Sequence, residues 1–243
     1  KIEAAAGVWE TLANTEVIKV FDIKGEDMTG INVQGIKPAR NYFGKDKSVK
    51  GVRNGKLSFK MAMWGSGDND TPPHFGGLLK CCNCTETINP STSVVYTPST
   101  AINKTGSFGH LKDGVMHKYC GMVGSFKILW KVGEFAILEF SFQGGYLGYV
   151  DQAFFTGVSW PTTLGPSILS STFTFNTSEK PVVSEAEFDQ GNKVEVRQSV
   201  GVIESAGTYG ILTGLVVDRE SSFKCNPEMV LKATRDWVDT LAN

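Results

Sequence analysis

Charge of one sign is what this 243-residue chain lacks first: 24 Lys+Arg stand against 25 Asp+Glu, a formal balance of -1. That excludes a uniformly basic nucleic-acid binder and an acidic solvating tail. No apolar run approaches the roughly 18 residues a membrane helix needs, and Lys1–Gly7 has no secretory-signal character, although a chain that does not open on Met leaves a preceding leader open. Catalytic motifs are missing as well. There is no G-x-S-x-G elbow, no G-x-x-x-x-G-K-[ST], no G-x-G-x-x-G and no H-E-x-x-H. None of His74, His110 and His117 has a neighbouring Ser or Cys arranged as a nucleophile in sequence, so the chain reads as a non-enzyme. The five cysteines, Cys81, Cys82, Cys84, Cys120 and Cys225, are an odd number, which argues against a closed disulfide framework and for a reducing compartment. Their spacing lacks the paired C-x2-4-C knuckles of a structural zinc site, so they read as small buried apolar residues, and no metal site is assigned.

What is present points to a β protein. Hydrophobic residues make up 41%, which excludes disorder, and 27 Gly with 15 Phe, 5 Trp and 6 Tyr favour short strands and turns over a helical bundle. The near-zero net charge hides a polarity. Residues 1–132 hold 17 Lys+Arg and 11 Asp+Glu, a balance of +6, while residues 133–243 hold 7 and 14, a balance of -7. The lysines of the first part are scattered singly, without the clustering that tracks a phosphate backbone. Complementary halves suit head-to-tail contact between copies, and salt is expected to weaken such contact.

Along the chain, Val17–Ile23 and Gly30–Ile36 read as strands and Pro38–Asn54 as a loop. Leu57, Phe59, Met61 and Met63 alternate with smaller or polar residues as a strand with one buried face does. Phe75, Leu78, Leu79 and Cys82 share one face of a short helix that Gly76 and Gly77 weaken. A strand follows at Val94–Thr97, then a hairpin turning at Asp113-Gly114. Phe126, Ile128, Trp130 and Val132 face one way on a strand that turns at Gly133-Glu134. It returns as Phe135–Gln143, with Leu138, Phe140 and Phe142 inward and Glu139, Ser141 and Gln143 outward. Gly144–Pro166 reads as a connection between modules at 1–150 and 151–243. Strands resume at Ser171–Asn176, Val182–Asp189, Lys193–Gln198, Val200–Glu204 and Tyr209–Asp218. Asn226 as N-cap, Pro227 at the first helical position and Met229, Ala233, Trp237 and Leu241 on one face predict a terminal helix. Strand, strand, helix thus recurs in each half, which predicts a mainly β fold, a sandwich or barrel with short flanking helices, duplicated within the chain. The loop Gly65–Asp70 has calcium-loop composition but Leu79 at the place of the bidentate Glu, and N-x-[ST] occurs at Asn83, Asn103 and Asn176.

Several runs together carry a resemblance. Pro73–Cys82, Thr85-Glu86-Thr87 and Ser93–Pro98, followed by Leu111–Lys118, Gly121–Phe126 and Glu139–Tyr146, with Arg40–Gly44 upstream, lie in collinear order. They resemble the "P-x-x-G-x-L-L-(R/K)-x-C … E-T … V-x-Y-x-P … DG-x-x-H … G-x-x-G … F-x-F-x-G-x-Y" series of the tail tube (major tail) proteins of long-tailed, siphovirus-like bacteriophages. The likeness covers most of residues 27–160, is diffuse beyond Trp160, and Cys81 and Cys84 depart from the family pattern. It implies a virion structural subunit, assembled in the host cytoplasm, whose β-sandwich contributes strands to an inner barrel of stacked rings. The lumen of such a tube passes double-stranded viral DNA. The resemblance also implies tape-measure and tail-terminator partners, with no cofactor and no membrane. Closure would remove exposed sheet edges, and a duplicated module would let three copies complete a pseudo-hexameric ring, a six-copy ring being the other possibility.

A wall that DNA slides past should not neutralise phosphates. The polar faces expected to line the lumen are Glu139, Ser141 and Gln143 on one strand and Glu185, Glu187 and Asp189 on another. The other functional reading is a monomeric carbohydrate-binding β-sandwich with Trp64, Tyr146, Tyr149 and Trp160 as a stacking platform.

Overall fold

Alternation of large apolar with polar residues along Leu57–Met61 and Leu138–Phe142 builds one large antiparallel sheet. The structure, a computed structural model, describes residues 1–26, 34–35, 48–49, 51–100, 104–158, 160, 165, 167–169, 174, 180–199 and 211–228. Most of the strands expected at Gly30–Ile36, Ser171–Asn176 and Val200–Glu204 lie outside them; Gln34–Gly35 (β2) pairs with Ser48–Val49 (β3). The chain is mainly β and sandwich-like. In the large sheet β1 (Phe21–Glu26) pairs with β4 (Asn54–Ala62), β4 with β9 (Ile137–Asp151) and β9 with β8 (Val115–Lys131). From there β8 pairs with β10 (Val183–Asp189) and β10 with β13 (Ser222–Pro227). A further strand, β7 (Gly106–Lys112), pairs with the first part of β8 through a tight turn in which Asp113 and Gly114 take φ of 51° and 82°, as the Asp-Gly pair predicts. β10 and β13 come from beyond residue 150 and still continue the sheet built by the first 150 residues.

One face of this sheet is the core. Leu57, Phe59 and Met61 of β4 lie beside Phe142, Phe140 and Leu138 of β9, all buried. Phe140 stacks on Phe142 with centroids 5.7 Å apart and touches Phe59 and Phe126, a geometry that adds to plain area burial. Helix α1 (Gly76–Cys81) lies across these rings with Leu78 and Leu79 buried. Gly76 stands where the hydroxyl of Tyr96 packs against the helix, and a Cβ there would collide with it. The glycine that weakens the helix in isolation is therefore what lets the hairpin of β5 (Cys84–Asn89) and β6 (Ser93–Pro98) close on it.

That closure is polar. Tyr96 Oη donates to Glu86 Oε2 at 2.6 Å and Lys80 Nζ donates to Glu86 Oε1 at 2.9 Å, tying α1 to the hairpin. Burial raises the Glu86 carboxyl, but the bonds from Lys80 and Tyr96 outweigh it and leave it below its ordinary value. A carboxyl held down in the folded state contributes stability that is present above the unfolded pKa of 4.5 and is lost as pH falls through the folded value. Glu86→Gln is expected to cost about 1 kcal/mol at pH 7 and to flatten stability against pH below that point, as urea unfolding from pH 7 to pH 3 would show. An unchanged acid limb would count against the tie.

Several expected elements differ in the structure. β1 begins at Phe21 rather than Val17 and runs through Gly25 and Glu26, because pairing with Lys56–Lys60 sets its length; Asp22, with φ of 52°, makes a bulge. Met63 lies past the end of β4 and is 36% exposed. Val132, expected inward, is 55% exposed in the turn, and the return strand begins at Ile137, with Phe135 46% exposed. Gly144–Asp151, expected as a connection, continues β9. Gly144 sits under the carbonyls of Cys120 and Gly121, each 2.8 Å from where a Cβ would be, so only glycine admits the close approach. The turn expected to start a helix at Asn226 and Pro227 is strand. Asn226 accepts from the Glu185 N–H at 2.9 Å and donates to Ser184 Oγ at 2.7 Å, and these bonds to β10 replace the cap. The second helix of the expected repeat is thus not begun there, and residues 229–243, with Met229, Ala233, Trp237 and Leu241, lie outside the described residues.

A second layer is the hairpin of β11 (Asn192–Gln198) and β12 (Ile211–Arg219). It packs against the middle of β8 and β9, with Gly214 close to Val123 and Thr213 close to Gly121. Arg219 fixes its far end by donating to Asn192 Oδ1 at 2.7 Å and to the carbonyls of Asn83 and Ser99 at 3.3 and 3.1 Å. Asn83 takes φ of 61° just past α1 and is buried, so its N-x-[ST] match is part of the packing.

Candidate functional site

The face of the large sheet opposite α1 carries all six residues expected at a lumen. Glu139, Ser141 and Gln143 of β9 and Glu185, Glu187 and Asp189 of β10 are brought to the same face, separated by β8. Cross-strand register arranges the face in rows. One row runs Lys60, Glu139, Lys127, Asp189, Ser222; the next runs Ser58, Ser141, Ser125; another runs Ala62, Ile137, Leu129, Glu187, Lys224; and Lys131 lies opposite Glu185. Ser141 and Glu185 are exposed and Glu139, Glu187 and Asp189 half-buried. Gln143 lies at the end of the face that β12 approaches, its carbonyl 2.8 Å from where a Cβ on Gly214 would stand.

Two strand faces that are acidic in sequence therefore do not make an acidic face. Lysines of β4, β8 and β13 interleave with the carboxylates. Lys127 Nζ lies 2.9 Å from Asp189 Oδ2 and 3.4 Å from Glu187 Oε1, Lys224 lies 3.9 Å from Glu187, and Lys131 pairs with Glu134 at 2.8 Å. The hydrogen bond to Asp189 comes first among the causes that hold the Lys127 ammonium above its ordinary pKa, followed by the charges of Asp189 and Glu187 against a small burial penalty. The groups around Lys127 are partly exposed, so each of its pairs contributes only tenths of a kcal/mol to about 1 kcal/mol. Their weight is electrical: the wall is a near-neutral lattice of alternating charge. Part of the complementarity between the basic first half and the acidic second half is thereby satisfied inside one chain. Sequence alone does not reveal this, because it depends on β8 lying between β9 and β10.

The two ends of the sheet are the other feature of the site. Among the described residues β1 and β13 are each hydrogen-bonded to a strand on one side only. Both carry exposed apolar side chains, Phe21 and Ile23 at 43% and 42% on β1 and Phe223 at 43% on β13. The path from β1 to β13 has six strands, each antiparallel to the last, so its two edge strands run in opposite directions.

The remaining sequence expectations fall elsewhere. Cys81, Cys82, Cys84 and Cys120 are buried and Cys225 half-exposed; burial pushes the thiols of Cys81 and Cys120 up to about 12, which leaves them unreactive near neutrality. Among the described residues no three His, Cys, Asp or Glu side chains are grouped to hold a metal ion, and no helix is long and apolar enough to cross a membrane. The four aromatics of the stacking platform do not share a surface role. Tyr146 is 1% exposed, with its hydroxyl 2.9 Å from His117 Nδ1, whereas Tyr149 and Trp160 are 67% and 48% exposed. Comparison with protein-family models and with curated protein sequences gives no match.

Proposed function

We propose that this chain is a structural subunit of a bacteriophage tail tube, which assembles with copies of itself into stacked rings around a channel for double-stranded DNA. The observation that carries the reading is the pair of unlike sheet ends, β1 and β13, each paired on one side only among the described residues, bounding a charge-balanced wall. β13 of one copy laid beside β1 of the next continues the antiparallel ladder without reversing any subunit, and a ring closed this way leaves neither end of the six-strand path unpaired. Three copies then supply about 18 strands, the size at which barrels leave an aqueous channel, and six supply about 36. The wall suits a passing polyanion because its lysines are already engaged by carboxylates, so few phosphates displace counterions onto them. The virion tail, and partners such as a tape measure and a terminator, follow from the same reading.

The purified chain, followed by analytical ultracentrifugation and negative-stain imaging, is expected to pass from monomer to rings and tubes as concentration rises. A chain that stays monomeric at every soluble concentration would refute the proposal.

A further inference from the structure

Two of the chain's 3 histidines stand opposite each other on neighbouring strands. His110 of β7 and His117 of β8 are cross-strand partners, with ring centroids 6.2 Å apart and planes inclined at 36°. The tight turn at Asp113-Gly114 fixes that register, since Lys112 opposite Val115 and Leu111 opposite Met116 lead directly to it. Here β8 lies between β7 and β9, which distinguishes the two ring nitrogens of His117. Nδ1 is 2.9 Å from the hydroxyl of Tyr146, a residue of β9 that is 1% exposed. The nitrogens of an imidazole diverge, so holding Nδ1 on the β9 side turns Nε2 toward β7 and His110. In the tautomer whose Nδ1–H donates to the phenol oxygen, Nε2 carries the lone pair that a metal ion takes.

The spacing suits an ion shared between the rings. A divalent metal about 2.1 Å from one nitrogen of each imidazole sets the centroids about 5.3 Å apart at a tetrahedral angle and about 6.5 Å apart in line. The observed 6.2 Å lies within that span, and a small rotation of either side chain reaches the tetrahedral value. Both histidines are half-buried and the neighbouring Tyr149 is 67% exposed, so an ion can enter from solvent and keep water in its remaining positions. In the next row toward the turn, Lys112 and Asp151 flank Val115, and their opposite charges offset each other for an approaching cation. Imidazole nitrogen favours Zn²⁺, Ni²⁺ and Cu²⁺ over Mg²⁺ and Ca²⁺.

We propose that His110 and His117 chelate a divalent transition metal of this class, with Tyr146 orienting the His117 ring and water completing the coordination, so that the ion clips β7 to β8. With two protein ligands among the described residues the site is weaker than a structural zinc centre, and it stabilises the fold by mass action rather than being required for folding. It does not depend on assembly. The test is a Cu²⁺ titration of the full chain in a non-coordinating buffer, read by electron paramagnetic resonance and by the thermal midpoint. One ion per chain, hyperfine structure from two imidazole nitrogens, displacement by excess Zn²⁺ and a midpoint that climbs with metal concentration are the expected result. His110→Gln and His117→Gln should each weaken binding tenfold or more, whereas His74→Gln should leave it unaltered. Tyr146→Phe should weaken it about tenfold and keep the two-nitrogen signature, as loss of an orienting hydrogen bond does. A spectrum of the unaltered chain with one imidazole nitrogen or none would overturn the site, whatever the variants do. Full binding by His110→Gln, or loss of binding on His74→Gln or on Cys225→Ser, would overturn it too by placing the ion elsewhere.

Discussion

Replacing Glu3 with Ala is expected to remove about 3–5 kcal/mol of stability, a large part of what a domain of this kind possesses. Glu3 is 6% exposed, and its two oxygens accept four hydrogen bonds. Gly7 N–H donates at 2.7 Å, Thr105 Oγ1 at 2.6 Å, Ser107 Oγ at 2.9 Å and Gly121 N–H at 2.7 Å. Gly121, with φ of 60°, sits at the irregularity where β8 stops pairing with β7, before its pairing with β10 begins at Lys127. One carboxylate thus ties the amino-terminal segment, β7 and the bend of β8 together. Alanine leaves four donors in a dry site with no acceptor, and each orphaned donor costs about 1–3 kcal/mol before relaxation. Glu3→Gln keeps one acceptor oxygen and turns an amide toward the other donors, so about half the loss is expected. Urea unfolding should show the midpoint falling in that order at constant slope. A loss below about 1 kcal/mol for Glu3→Ala would mean that the segment is held by something else.

A single proline on β13 is expected to abolish assembly while leaving the subunit folded. Successive N–H groups of a strand point to opposite sides, so of the neighbouring residues Phe223 and Lys224 one directs its N–H toward β10 and the other toward the side on which no described strand pairs with β13. Proline at the inward position breaks the ladder and should lower the thermal midpoint. At the outward position it spares the ladder with β10, and places a ring where a neighbouring copy's backbone would lie. Of Phe223→Pro and Lys224→Pro, one is therefore expected to melt like the unaltered chain and remain monomeric at concentrations where the unaltered chain forms rings. If the stable variant forms the same rings, β13 is not the seam.

How much of this was legible in sequence depends on how local the cause is. Leu57, Phe59 and Met61 and the run Leu138, Phe140 and Phe142 declare a buried face by alternation alone, and Asp113-Gly114 declares its turn by backbone chemistry. Phe75, Leu78, Leu79 and Cys82 mark the helix, all four buried, despite two glycines, one of which is explained by Tyr96 arriving from 20 residues away. The misreadings share a non-local cause. Gly144 and Gly145 look like a connection until the bend of β8 at Cys120 and Gly121 is seen to lie against them. Asn226-Pro227 spells a helix start and is overruled by pairing with β10. The six lumen candidates declare an outward face by alternation within their own strands. The lysines between them are invisible in sequence, because Lys127 reaches Asp189 only through a register that pairs residues 62 apart. The Glu3 network left no trace, since a buried carboxylate in an aperiodic segment has no pattern to read.

The unlike edges of the sheet also bear on how such rings would grow. A contact between two different surfaces cannot be satisfied by pairing two copies face to face, so every open chain of copies joined in this way would keep one β1 and one β13 that no other copy covers. Closing the ring adds a seam without bringing in another molecule, so the last contact forms at high effective concentration and costs no further translational entropy. Partial rings should therefore be scarce, and the population should divide between single subunits and closed rings. Each ring would present two chemically different rims, giving the stack a direction from its first layer onward.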